Sequence, residues 1–229
     1  MKRKIMTGLL LVMTLVAQAQ EADAAKELQK IRAYYAGPEL KHVAGQMLLV
    51  DTDKNKQVDK VTFEYWLKGS EIFTKMNYIE ILSNSAVYVM VNHKRKSIYA
   101  RPIGQVTPKT ETPFFDAEQL RQLLNVKGTS AKLVQTGGQN KLTITGLADS
   151  RFRMVTINYD AANGRIISLD AAIRSSLPEE QALLLKVTYS VTEKTAAKSE
   201  PQVFASSKYL ENTTGEFRFT RPYQNYQKL

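Results

Sequence analysis

An α+β fold dominated by antiparallel strands is expected for this chain, and three observations carry the expectation. Apolar and polar residues alternate with a period of two in short segments over much of residues 47–191, with turn residues between them. A helical spacing precedes that series at Ala24, Leu28, Ile31 and Tyr35. A second amphipathic stretch, marked by Leu120, Leu123 and Leu124, interrupts it. The order is helix, strands, helix, strands, and such a sheet must cover one of its faces.

The N-terminus precedes this pattern and is of another kind. Lys2, Arg3 and Lys4 form a positive region, residues 5–16 an apolar core, and Ala17-Gln18-Ala19 a small-x-small cleavage pattern. Residues 1–19 are therefore expected to be a signal peptide cleaved before Gln20, with residues 20–229 working outside the cytoplasm as one domain. The apolar core is shorter than the roughly 20 residues that span a bilayer. The chain has no cysteine, which excludes a lipid-modified cysteine, a disulfide framework and a thiol nucleophile. Loss of Lys2, Arg3 and Lys4 lowers the formal charge from +10 to +7. That balance favours acidic surfaces such as anionic headgroups. No basic cluster with stacking aromatics points to nucleic acid.

Along the mature chain, Gly37-Pro38 ends the first helix. Residues 47–50 read as a strand and residues 51–60 as a polar hairpin connection. Val61, Phe63, Tyr65 and Leu67 then alternate with Thr62, Glu64, Trp66 and Lys68, a strand with two unlike faces. Further strands are expected at residues 72–75, 78–82, 87–92 and 97–102. Within residues 107–127, Asp116 reads as an N-cap with Gln119 three residues on, and Phe115 and Leu120 as a hydrophobic staple. Gly128 ends that helix. Strands resume at 131–136, 141–145, 152–159, 165–172 and 182–191, and two last ones are expected at 203–206 and 216–220.

Catalytic chemistry finds little purchase. The two histidines, His42 and His93, lack a partner at metal-ligand spacing and read as surface or turn residues. No G-x-S-x-G, H-E-x-x-H or Gly-rich phosphate loop occurs. Asp51, Asp53, Asn55, Gln57 and Asp59 imitate a calcium loop, but Lys56 and Thr62 stand where it needs Gly and Glu. A polar turn is the better reading. No enzyme, metal or cofactor is expected; an exported hydrolase would rest on generic Asp and Glu residues alone. The aromatic and methionine content of the first strands offers broad apolar surface, suited to core packing or to an apolar ligand.

A series of short motifs follows a recognisable order. It runs Tyr65-Trp66-Leu67-Lys68 with Ile72-Phe73, then Glu80-Ile81-Leu82-Ser83-Asn84 before Val87-Tyr88-Val89, then Thr112-Pro113-Phe114. Leu142-Thr143-Ile144-Thr145, Val155-Thr156-Ile157-Asn158 and Gly164-Arg165-Ile166 come next, and Phe217-Arg218-Phe219-Thr220-Arg221-Pro222 closes the series. This order resembles the LolA-like proteins, periplasmic carriers of outer-membrane lipoproteins, over nearly the whole mature chain. The resemblance implies an incomplete (half-open) antiparallel β-barrel with a helical lid and an N-terminal helix, holding acyl chains between sheet and lid. It implies a monomeric periplasmic carrier whose partners are acylated lipoproteins, an inner-membrane lipoprotein-releasing transporter and an outer-membrane acceptor. On that reading Met47, Phe63, Tyr65, Phe73, Ile81, Val89 and Ile144 are expected to wall the cavity, and Leu120, Leu123 and Leu124 to form the lid. One departure bears on mechanism: the best-known carriers have K-R-P, with a latching Arg, where this chain has Lys68-Gly69-Ser70. An envelope sensor or assembly factor, binding a lipid or peptide without transporting it, is the alternative that the missing latch favours.

Overall fold

The computed structural model describes residues 23–105, 120–122, 124–147, 151–174, 183–194, 202–212 and 216–229. The leader segment, the Thr112-Pro113-Phe114 step, the Asp116 cap and Leu123 lie outside the described residues. A helix, α1, occupies 23–35, and Leu120, Arg121 and Gln122 are helical, with the Leu124 N–H donating to the Leu120 carbonyl at 3.2 Å.

The strands are β1 (Leu40–Asp51), β2 (Lys56–Lys68), β3 (Glu71–Met76), β4 (Ile79–Ser83), β5 (Val87–Asn92) and β6 (Ser97–Pro102). They continue as β7 (Ser130–Thr136), β8 (Gln139–Thr145), β9 (Phe152–Asp160), β10 (Ile166–Ile173), β11 (Leu183–Lys194) and β12 (Gln227–Lys228). Among the described residues these twelve form one sheet in the order β12-β6-β5-β4-β3-β2-β1-β11-β10-β9-β8-β7. Pairings from β2 to β6 and from β7 to β11 are antiparallel, while β12 runs parallel to β6. The meander expected from the alternation is present, but β1 begins at Leu40 rather than at 47 and β2 takes in Lys56 to Lys60 of the expected connection; the other strand ends shift by a few residues.

Two expected strands are not. Residues 203–206 fall in short 3₁₀ turns, Gln202–Phe204 and Ser206–Lys208, and residues 216–220 contribute a single bridge, Leu210↔Phe219. The segment buries Tyr209, Leu210, Phe219 and Tyr223 against a sheet face, so side-chain packing rather than a strand ladder holds it. The polar connection after β1 is a turn, as its composition implies: Asp51 Oδ1 accepts the Asp53 and Lys54 N–H groups, both at 3.1 Å.

The chain forms two compact units. One comprises Met1–Tyr34, Leu48–Asp59 and Asp116–Thr188. Here α1 buries Ala24, Leu28 and Ile31, the stripe that its spacing predicts. The strands answer with a matching apolar row, Leu142, Ile157, Leu169 and Val187, which lie opposite one another in register and are all buried. Leu120 and Leu124 are buried in their own right. A polar pin fixes α1. Glu27 Oε2 accepts from the Tyr159 hydroxyl at 2.7 Å, from Asn140 Nδ2 at 3.2 Å and from Lys30 Nζ at 3.0 Å. Lys30 Nζ also donates to the Ala161 carbonyl at 3.0 Å.

Gly164, in the turn between β9 and β10, presses on the same helix. A Cβ there would stand 3.0 Å from the Lys30 carbonyl, and its φ of +84° is one that side-chain-bearing residues avoid. Gly164→Ala is expected to lower stability by about 1–2 kcal/mol from the backbone conformation alone, with more from displaced helix backbone. Thermal unfolding of the variant measures this.

The second unit comprises Tyr35–Met47, Lys60–Phe115 and Tyr189–Leu229. Its sheet, β2 to β6, separates two faces by strict alternation. In β5, Val87, Val89 and Val91 are buried while Tyr88, Met90 and Asn92 are half-exposed. The valine face carries the core: Phe73, Leu82, Val87, Val89, Val91 and Ile98 pack with Tyr209, Leu210, Phe219 and Tyr223 from the C-terminal segment. A second carboxylate pins that segment. Glu80 Oε2 accepts from Lys208 Nζ and from the Tyr209 hydroxyl, both at 2.7 Å. Glu80 Oε1 lies 3.4 Å from His93 Nε2, and His93 Nδ1 lies 3.2 Å from the Tyr226 hydroxyl.

Burial by itself would raise the pKa of Glu80, but hydrogen bonds from Lys208 and Tyr209, and the Lys208 and His93 charges, outweigh it and hold the carboxyl below its ordinary value. Glu27 is likewise lowered, its burial outweighed by Tyr159, Lys30 and Asn140. Folded pKa values below the unfolded ones contribute stability that is full above the ordinary carboxylate range, about 4.3, and is lost as pH falls through the folded values. The urea midpoint is therefore expected to drop between pH 6 and pH 3, and Glu80→Gln to flatten that dependence.

Candidate ligand-binding face

The other face of β2–β6 is built from residues that alternation turns away from the valine core. Gly69 and Ser70 form the two-residue link between β2 and β3, so Lys68 pairs with Glu71, Leu67 with Ile72 and Tyr65 with Thr74. Gly69 takes a φ of +56°, which suits the tight reversal, and its N–H donates to the Gly37 carbonyl at 3.1 Å. The register then carries one row from strand to strand: Tyr65, Thr74, Ile81, Met90, Tyr99. A neighbouring row runs Phe63, Met76, Ile79, Asn92, Ser97.

Phe63 and Tyr65 are 2 % and 9 % exposed and form the floor near β2. Ile72, Met76, Ile79, Ile81, Tyr88, Met90 and Tyr99 are half-exposed. The result is an apolar surface with aromatic depth at one side and adaptable methionine and isoleucine across the rest. Phe63 stands edge-on to Tyr65 at 5.5 Å and to Tyr189 at 5.7 Å between ring centroids. Tyr88 and Tyr99 meet edge-on at 6.1 Å, and the Arg101 guanidinium lies 5.1 Å from the Tyr99 ring. Burial pushes the Tyr65 phenol well above its ordinary pKa, and burial, then Tyr35 and Tyr65, does the same to Tyr189. Tyr88 is raised by burial and secondarily by Tyr99. These phenols stay neutral at every physiological pH, so the surface is uncharged apart from its rim.

The sequence-based wall residues divide. Phe63, Tyr65 and Ile81 share this face. Phe73 and Val89 do not: Phe73 pairs with Trp66 and Val89 with Leu82, on the valine face, where both are buried in the core cluster. A pleated strand cannot present neighbours of opposite parity to one surface. Ile144 is fully buried in the first unit, opposite Ala131 and Val155. Met47 is half-buried in β1. Tyr88, Met90 and Tyr99 share the face of Phe63, Tyr65 and Ile81, a parity that the turn lengths between strands carry. His42 sits within β1 rather than in a turn, stacked on Trp66 at 4.4 Å with its Nε2 3.7 Å from Glu64 Oε2. His93 does lie in a turn, as its setting suggested.

Comparison with known proteins places this chain beside several solved structures. No family model matches the sequence, and no curated protein does. The fold is similar to an uncharacterized conserved protein from Thermus thermophilus, at 10% identity and a TM-score of 0.48, over 90% of this chain and 98% of that one. It is similar to the Pseudomonas aeruginosa MucA/MucB complex at 14% identity and a TM-score of 0.49, over 81% of this chain and 62% of that one. A LolA superfamily protein from Nitrosomonas europaea matches at 10% identity and a TM-score of 0.35, over 75% of this chain and 94% of that one.

Proposed function

We propose that this protein binds the acyl chains of lipoproteins on the half-exposed face of β2–β6 and carries them through the periplasm toward the outer membrane. The observation that carries the reading is that face: Ile72, Met76, Ile79, Ile81, Tyr88, Met90 and Tyr99 stand half-exposed on one side of a sheet whose other side is packed with its own core. The role is binding without catalysis. Exposing an acyl chain of a dozen methylenes to water costs roughly 10 kcal/mol at about 0.8 kcal/mol each. A lipidated protein needs that surface sheltered in transit, by a site shallow enough to give it up again. Side chains that are half-covered and adaptable suit reversible holding better than a closed cavity. On the family resemblance, the β2–β6 sheet is the part of the fold that holds the acyl chains. The partners proposed on the same ground are an inner-membrane releasing transporter and an outer-membrane acceptor.

Native mass spectrometry of residues 20–229, followed by lipid extraction, tests this. Co-purifying or added acyl lipoprotein bound one to one is the expected result; a protein that stays empty with lipoprotein in excess contradicts it. Gly69 favours the sensor or assembly-factor alternative on one point. An arginine latch at that position would need a left-handed backbone costing about 1–2 kcal/mol, and this turn is built for glycine. A binding protein that takes lipoprotein but never passes it to outer-membrane vesicles would select that alternative.

A further inference from the structure

Two tight turns at one end of β3–β6 bring together the features of a membrane-docking edge. The β5–β6 turn carries three consecutive cations, Lys94, Arg95 and Lys96, all exposed, and among the described residues none makes an ion pair with a carboxylate. The turn is rigid. Asn92 Oδ1 accepts the Arg95 N–H at 2.9 Å, Lys96 takes a φ of +47°, and the Gln227 N–H donates to the Lys96 carbonyl at 2.8 Å. The β3–β4 turn sits against it: the His93 N–H donates to the Tyr78 carbonyl at 2.8 Å, and Lys94 Nζ lies 5.5 Å from the centroid of the Tyr78 ring. Tyr78 is 43% exposed, and a hollow of about 550 Å³ opens between Tyr78, Ile79, Asn92, Lys94 and Arg95. The buried carboxylate of Glu80 is already engaged by Lys208 and Tyr209.

We infer that this pair of turns docks on the surface of an anionic phospholipid bilayer. Long cationic side chains on a fixed turn meet headgroup phosphates, while a tyrosine with an apolar ring and a polar tip settles at the headgroup level. The exposed ring beside the cations selects a bilayer over a free phosphate, which would have no use for it. Neither the cations nor Tyr78 belongs to the apolar face described above; the hollow beside them borders that face at Ile79 and Asn92, and the inference rests on the cations and Tyr78 alone.

Co-sedimentation of residues 20–229 with vesicles tests it, using phosphatidylcholine alone against phosphatidylcholine with one third phosphatidylglycerol. Binding to the anionic vesicles that weakens as salt rises is expected. Each neutralised cation should weaken partitioning about fivefold, so K94Q/R95Q/K96Q should bind about a hundredfold less. Tyr78→Ser should weaken it further, and the triple variant should bind acylated peptide as the parent does. Equal binding to neutral vesicles, or a triple variant that binds anionic vesicles undiminished, overturns the inference. Displacement by millimolar inorganic phosphate at constant ionic strength would reassign the turns to a phosphate site and overturn it as well. If acylated peptide fails to bind to the parent while the vesicle result holds, the acyl-binding reading alone falls.

Discussion

Ile81→Glu is expected to weaken acyl-chain binding at least a hundredfold while leaving the protein folded. Ile81 lies mid-face between Thr74 and Met90, half-exposed. Losing its apolar contact removes about 1.5 kcal/mol or more, and a carboxylate buried beneath an acyl chain adds a further penalty of several kcal/mol unless it protonates. At about 1.4 kcal/mol per factor of ten, the two exceed a hundredfold. Glutamate is the sharper probe than lysine, whose long stem can lie along apolar surface and keep its charge in water. In the free protein the same change meets partial solvent, so thermal stability should fall by no more than about 1 kcal/mol. The equivalent charge at Phe63 or Tyr65 is a different experiment: these side chains are 2 % and 9 % exposed, and a charge there threatens the fold before it reports on a ligand. Equilibrium binding of a fluorescent acylated peptide, read beside thermal unfolding, separates the two effects.

Tyr209→Ala is expected to cost about 3–5 kcal/mol of stability, the largest single-residue effect foreseen in the second unit. Tyr209 is 1 % exposed, packs against Tyr223 at 5.4 Å and donates its hydroxyl to Glu80 at 2.7 Å. Truncation opens a cavity in the core cluster and removes one of the donors that keep the Glu80 carboxylate ionised within the fold. Burial first, then the hydrogen bond to Glu80, raises the Tyr209 phenol far above its ordinary range, so it remains a donor throughout. Tyr223 is likewise raised, to about 12, by burial and then by Glu80. Tyr209→Phe keeps the ring and loses only the hydroxyl, so it should cost about 1–3 kcal/mol. The ordering Ala, Phe, parent in chemical denaturation tests whether packing or the hydrogen bond dominates.

Much of this architecture was legible in the residues. Alternation in Val61 to Lys68 set the two faces of β2, and the spacing of Ala24, Leu28 and Ile31 set the buried stripe of α1. The C-terminal segment departs from the expected strands although Val203-Phe204 and Phe217-Arg218-Phe219 have strand composition. Their environment is a packed face rather than a ladder, and tertiary burial of an aromatic does not require an extended partner. At the candidate face, residue type alone does not place Phe73 and Val89; strand parity does. The two-residue link at Gly69-Ser70 makes Phe73 the partner of Trp66, and from there Val89 follows onto the valine face. The polar pins at Glu27 and Glu80 had no sequence signal, since Glu27 and Tyr159 are 132 residues apart and Glu80 and Tyr209 are 129.

Site-specific photocrosslinking locates the bound acyl chain on the sheet. Benzoylphenylalanine would be placed at Ile81, on the half-exposed apolar face, and separately at Lys75, exposed on the opposite face of the same hairpin. Irradiation with a triacylated lipoprotein should give an adduct through the acyl chains at position 81 and none at position 75. Adducts at position 75 alone, or equal yields at both, would contradict a ligand held on this face.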